Sequence, residues 1–174
     1  MKNNKTEGNN GVTFEFVWEN IGPELIEKVI SFWVSENAFQ GDRAIMESRA
    51  RQLIVVARDA DKNIIAVNTA ERMKIPLLLN NWFYFYRVFV SPAYRKKGVM
   101  MAVSHRAREY LHQRFISGED TVAKGFYTAA ENSILQKVQT QAVMVIGGID
   151  HPFIGVDKKG RHLRVGWFDG ATID

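Results

Sequence analysis

Apolar and polar positions alternate from Val12 to Trp18, with Val12, Phe14, Phe16 and Trp18 set against Thr13 and Glu15, which predicts a strand. From Asn20 to Ala38 the period changes. Leu25, Ile26, Val29, Ile30 and Trp33 recur at helical spacing, and Pro23 suits a first turn. Asp42 is placed to cap a second short helix ending at Arg51. Leu53 to Ala57 is a β-branched apolar run, and the polar stretch from Arg58 to Asn63 turns it back into a partner strand from Ile64. Pro76 and Asn80-Asn81 interrupt the chain before Trp82 to Val90, which is dense in aromatic and β-branched residues and predicts a strand ended by Pro92.

Val99 to Phe115 carries Met100, Val103, Ala107, Tyr110, Leu111 and Arg114 on one helical stripe, and a loop over Ser117 to Asp120 follows. Gly125 to Ala130 predicts a strand, Asn132 to Gln141 a helix, Val143 to Ile146 a strand, and Arg164 to Phe168 the last strand after a turn at Asp157 to Gly160. His151, before Pro152-Phe153, falls in a loop on this reading. The order β-α-α-β-β-β-α-β-α-β-β combines hairpins with a β-α-β-α core, so the expected class is α/β (α+β), a mixed central sheet flanked by helices. Residues 1–11 read as a flexible N-terminal tail and 12–174 as one domain.

Composition removes several classes. The 174 residues are 46% hydrophobic and 24% charged, ordinary for a globular chain. There is no cysteine, so disulfides, thiol nucleophiles and zinc–thiolate sites are excluded. No metal site is expected, because the four histidines lack metal-binding spacing, with His105 and His112 read as surface residues. No run approaches the ~18 apolar residues of a membrane helix, and the first eleven residues lack a signal peptide's apolar region. No membrane partner and a cytoplasmic location are expected. The net charge of +4 is unevenly spread: residues 87 to 114 sum to +6 and the rest to −2. A charge confined to one segment argues against a broad nucleic-acid footprint, although a nucleic-acid-binding module using residues 87–114 is the alternative that basic character raises.

That segment runs Arg87-Val88-Phe89-Val90-Ser91-Pro92-Ala93-Tyr94-Arg95-Lys96-Lys97-Gly98-Val99-Met100. It places a basic loop with one glycine between a strand and a helix N-terminus. The N–H groups and dipole of a helix start favour an anion, and glycine lets the backbone approach it closely. A solvated basic loop before an ordinary helix is the plain alternative.

Strand, proline, aromatic, Arg-x-x-Gly and helix together resemble the acetyl-CoA-binding motif of the GNAT N-acetyltransferase superfamily, whose pattern is R/Q-x-x-G-x-G/A. Phe126 to Asn132 is similar to that family's next strand and the Asn that follows it. The resemblance implies a GNAT-like acyl-CoA N-acyltransferase fold. It implies transfer of an acetyl group from acetyl-CoA to a primary amine by direct attack on the thioester. Val88, Phe89 and Val90 would pair with the pantetheine arm, and a backbone N–H there would polarise the thioester carbonyl. Arg95, Lys96, Lys97, Gly98, Val99 and Met100 would cradle the pyrophosphate, and Asn132 would contact the cosubstrate. Glu131, or Glu71, would take the amine proton; Tyr127, Tyr86 or Tyr84 would act as acid or orient substrate.

Two positions depart from the pattern. Met100 stands where a small residue is usual, so it either crowds the loop or turns into the core. Gln139 stands where the family often has a Tyr acid. A catalytically weak CoA-binding module is therefore a further alternative. The acceptor would be a small-molecule or peptide amine met by Trp33 to Asp42 and Gly147 to Gly155, where Asp42 and Asp150 suit a cation. A homodimer is compatible with this reading.

Overall fold

Several of the predicted local signals leave a visible device in the computed structural model, which describes residues 5–7, 11–38, 41–95, 97–130, 137, 140–146 and 148–173. Gly22 in extended backbone and Pro23 open α1 (Pro23–Ser35), which buries Ile26, Val29, Ile30, Phe32 and Trp33 on one face. Asp42 caps α2 (Arg43–Ala50) as expected, its side chain accepting from Ile45 N–H at 2.9 Å. The turn between β3 (Leu53–Arg58) and β4 (Ile64–Ile75) is closed by Asp59, whose carboxylate accepts from Asn63 N–H at 2.8 Å. A 3-10 turn (Pro76–Leu78) separates β4 from β5 (Asn81–Val90), and a second (Pro92–Tyr94) separates β5 from α3 (Val99–Ile116).

The remaining strands are β6 (Ala123–Ala130), β7 (Val143–Ile146), β8 (Ile149–Val156) and β9 (His162–Trp167). Two strands precede α1. They are β1 (Lys5–Glu7) and β2 (Thr13–Phe16), paired antiparallel with Lys5 opposite Glu15. The stretch read as a tail thus contains a short strand. The sheet order is β1-β2-β3-β4-β5-β6-β9-β8-β7, with β5 and β6 parallel and each neighbouring pair from β6 through β9 and β8 to β7 antiparallel. This is the mixed sheet that the order of elements implies. The helix expected over Asn132 to Gln141 lies almost entirely outside the described residues.

The chain divides into two compact units, Met1–Ala70 with Arg87–Ala107, and Glu71–Tyr86 with Arg108–Asp174. In the first, the inner face of α1 meets α2, β3 and β4 through Val29, Trp33, Ala50, Leu53, Val56 and Val67. Phe89 adds its ring edge-on to Phe32 at 5.6 Å. In the second, Ile75, Phe83 and Val165 form a core that Tyr127, Ile154 and Trp167 cover.

The second unit also holds a buried carboxylate. Asp120 accepts from the Tyr84 hydroxyl and from Arg72 Nη2 at 2.5 Å. Burial raises its carboxyl, but these two hydrogen bonds outweigh that and hold it below its ordinary value. Burial, then the bond to Asp120, pushes the Tyr84 phenol well up. Removing the carboxylate takes the ion pair from a partly buried guanidinium and leaves the buried Tyr84 hydroxyl with the longer Arg72 Nε contact at 3.4 Å. Asp120→Ala is therefore expected to cost about 2–3 kcal/mol, discounted from a fully buried pair because Arg72 reaches solvent. A lowered urea midpoint at unchanged slope is the measurement.

One expected loop is a strand. Residues 149–156 form β8 between β7 and β9, and His151 lies in it, fully buried. Pro152 and Gly155 disguise it in the sequence, but pairing on both edges satisfies the backbone.

Candidate functional site

The strand–loop–helix is built as its sequence predicts. Val88 and Phe89 are half-buried near the end of β5, and Val90 is buried. Ser91 N–H donates to Ile65 O at 2.9 Å, anchoring the end of β5 to β4. Tyr94 donates its hydroxyl to Asp59 at 3.1 Å, tying the start of the loop to the β3–β4 turn. Arg95 is exposed, yet it leans back on the strand: its Nε donates to Val90 O at 3.2 Å and its guanidinium lies 5.9 Å from the Phe89 ring. Lys97 stands over the Tyr94 ring at 4.8 Å.

Gly98 adopts φ +76°, and a Cβ built on it would meet nothing within 4 Å. Both facts fit a backbone that a ligand can approach. Val99 is buried and seats the helix, whose first internal bond is Ala102 N–H to Gly98 O at 3.0 Å. A helix start of this kind presents N–H groups without intrahelical acceptors, the usual anion-favouring end. Met100 is 39% exposed. It does not turn into the core. Lys96, Glu131, Asn132 and Gln139 lie outside the described residues.

The basic segment does not form one cationic face. Arg108 is 2% exposed and lies 4.7 Å from the centre of the Tyr86 ring and 5.6 Å from that of Phe126. Burial lowers its pKa. Arg114 is buried and pairs with Glu119 at 3.3 Å, and Arg106 rests on Phe14 at 4.0 Å. Arg95 and Lys97 are exposed at the loop. This distribution suits a small anion better than a long polyanion.

Among the other predicted residues, Tyr86 is buried beneath Arg108, edge-on to Phe126 at 5.8 Å. Tyr127 is half-buried beside Phe85 and its phenol is pushed up, chiefly by burial. Tyr84 is committed to Asp120, and Glu71 is exposed. Trp33 belongs to the core, whereas Asp42 caps α2 and is exposed. Asp150 lines an open cavity of about 420 Å³ with Val143, Gly148, Ile149, Pro152, Trp167 and Asp169. Trp167 pairs with Gly125 near the start of β6, whereas the end of that strand, Ala130, pairs with His162. The cavity therefore sits away from the end of β6 that leads to Glu131.

Sequence reading missed Asn68. It is fully buried in β4 and its Nδ2 donates to Arg87 O at 2.9 Å. The signal was an Asn directly after the apolar run Ile64 to Val67, within the buried first half of the strand. Among the described residues there is no group of acids and histidines arranged to hold a metal ion, and no helix is long and apolar enough to cross a membrane.

No family model matches the sequence, and no curated protein does. Solved structures do resemble it. The ribosomal-protein-S5-alanine acetyltransferase of Vibrio fischeri is 12% identical and superposes with a TM-score of 0.57 over 97% of this chain and 98% of its own. NAA60 of Arabidopsis thaliana, solved in complex with acetyl-CoA, is 14% identical, with a TM-score of 0.56 over 91% and 99%. A GNAT-family acetyltransferase of Listeria monocytogenes is 15% identical, with a TM-score of 0.53 over 93% and 98%. At such identities the likeness is one of fold, and it agrees with the element order and the mixed sheet: the chain has the GNAT acyl-CoA N-acyltransferase fold.

Proposed function

We propose that this chain is an N-acetyltransferase that moves an acetyl group from acetyl-CoA to a primary amine. The observation that carries the reading is Gly98, held in left-handed backbone with open space where a side chain would stand, between exposed cations and a helix start. These features fit a pyrophosphate. The loop from Arg95 to Met100 would hold it, and the backbone of Val88 to Val90 would hold the pantetheine arm. Acetyl-CoA supplies the activated acetyl group. The Val88 N–H stabilises negative charge at the thioester oxygen. Glu131 takes the proton that the ammonium must lose, and Tyr127, half-buried with a raised phenol, remains protonated to serve as an acid. Tyr86, buried beneath Arg108, does not face the solvent side of the site, so the acid role rests on Tyr127.

Calorimetric titration with CoA and acetyl-CoA tests the reading, and absence of binding at millimolar ligand overturns it. Lys97→Glu is expected to weaken CoA about tenfold with the circular dichroism unchanged. Arg95→Glu is expected to weaken it further, because it also releases the Val90 carbonyl. Unchanged affinity in both variants would move the site elsewhere.

A further inference from the structure

Asn68 is costly where it stands. Residues 65–70 of β4 are all buried, with Ala66 and Val67 on one side of Asn68 and Thr69 and Ala70 on the other. Asn is disfavoured in strands, and an apolar side chain would fill the site without a desolvation penalty. The Asn68 Oδ1 is buried and has no hydrogen-bond partner among the described residues, which adds to the cost. What the side chain gains is one bond, Nδ2 to Arg87 O at 2.9 Å. A carbonyl only accepts, so the amide nitrogen must face it.

That carbonyl belongs to the peptide unit whose other end is the Val88 N–H. In a trans peptide the two point in opposite directions within one plane, and the chain has no cis peptide bond. Holding Arg87 C=O toward β4 therefore aims Val88 N–H away from β4. A hydrogen bond to the carbonyl also polarises the N–H of the same unit. The rest of this strand end is pinned as well: Phe89 against Phe32, Val90 O by Arg95 and Ser91 N–H by Ile65 O. Among the described residues the last β5–β6 pair is Phe85 opposite Tyr127, before Val88 is reached.

We propose that Asn68 is a positioning residue for acetyl transfer: its amide fixes and polarises the Arg87–Val88 peptide so that the Val88 N–H is aimed at the thioester oxygen. This rests on the acetyltransferase reading above, and the experiment separates the two. The probe is acetyl-CoA labelled with ¹³C at the acetyl carbonyl, observed by infrared difference spectroscopy on the full chain. Binding to the wild-type chain is expected to lower the frequency of the carbonyl band. In Asn68→Leu, of similar shape but without a donor, the band returns toward that of free acetyl-CoA while Kd changes less than about threefold. Turnover of acetyl-CoA falls about tenfold at unchanged KM, less than loss of an oxyanion donor itself. Should Asn68→Leu fail to fold, Asn68→Val is read instead, since it suits a strand and has no donor. A carbonyl band identical in wild type and variant overturns the assignment of Asn68, as does a wild-type band that binding leaves unshifted. If the wild-type chain does not bind acetyl-CoA at all, the acetyltransferase reading falls first, and Asn68 with it.

Discussion

Gly125→Ala is expected to unfold the protein. An added Cβ would lie 2.0 Å from Gly166 O, 2.9 Å from Gly166 C and 2.9 Å from Trp167 Cα. All three are backbone atoms of β9, the strand paired with β6, so no side chain can rotate away. Relief requires the two strands to separate where Gly125 faces Trp167 and Phe126 faces Gly166. Overpacking usually costs 1–3 kcal/mol, but a collision with paired backbone belongs to the upper tail, at about 4 kcal/mol or more. Gly98→Ala is the comparison. It meets no atom within 4 Å and carries only the strain of φ +76°, about 1 kcal/mol. Urea unfolding of both variants checks the contrast. A Gly125→Ala midpoint equal to wild type would mean that β6 and β9 do not meet in this register.

The protein is also expected to lose stability between pH 6.5 and about pH 4, through His151. The imidazole is fully buried in β8, and its Nδ1–H donates to Ile149 O at 2.7 Å. Burial first, then the Arg108 and Arg164 guanidiniums, lowers its pKa to about 4. An unfolded histidine titrates near 6.5. As pH falls, the unfolded chain takes up the proton first, so the stabilisation is complete above pH 6.5 and drains away until the folded imidazole also titrates. The loss is at most about 3 kcal/mol. Asp120, Asp59 and Asp157 all titrate below their ordinary values and fall mainly beneath this window. Urea midpoints at several pH values should show the slope in wild type. His151→Asn, which keeps a donor for Ile149 O, should flatten it while lowering stability at neutral pH. A slope that survives the substitution would assign the acid loss to another group.

The same imidazole shows where sequence reading stopped. A chain passage containing Asp150, Pro152 and Gly155 reads as a loop, because those residues oppose a strand when judged alone. The passage is a strand because β7 and β9 pair with it from both sides. Gly166 is Gly because a Cβ there would sit 2.5 Å from His151 Nε2, a contact between residues fifteen apart in the chain. No local pattern records either fact.

The helix α3 divides in the same way. Its extent and its stripe of Met100, Val103, Ala107, Tyr110, Leu111 and Arg114 follow from period alone; Val103, Ala107, Leu111 and Arg114 are buried, Tyr110 is half-buried and Met100 is exposed. That Arg108 joins them inside, over Tyr86 and Phe126, does not follow, because a cation on a helix is ordinarily solvated. The +6 segment was therefore legible as a sum and misleading as a surface.

By itself the sequence determined the order of most elements, the strand–loop–helix with Gly98 at its turn, and the caps at Pro23 and Asp42. Each depends on residues within one helical turn or hairpin of one another, where backbone sterics and local hydrogen bonds dominate. Only the tertiary structure decided that Arg108 and His151 lie in the interior, that β8 is a strand, and that Asn68 grips the Arg87 carbonyl. Those outcomes depend on which distant strand or helix supplies the neighbouring atoms, and burial and pairing across the fold outweigh the preference of any single residue.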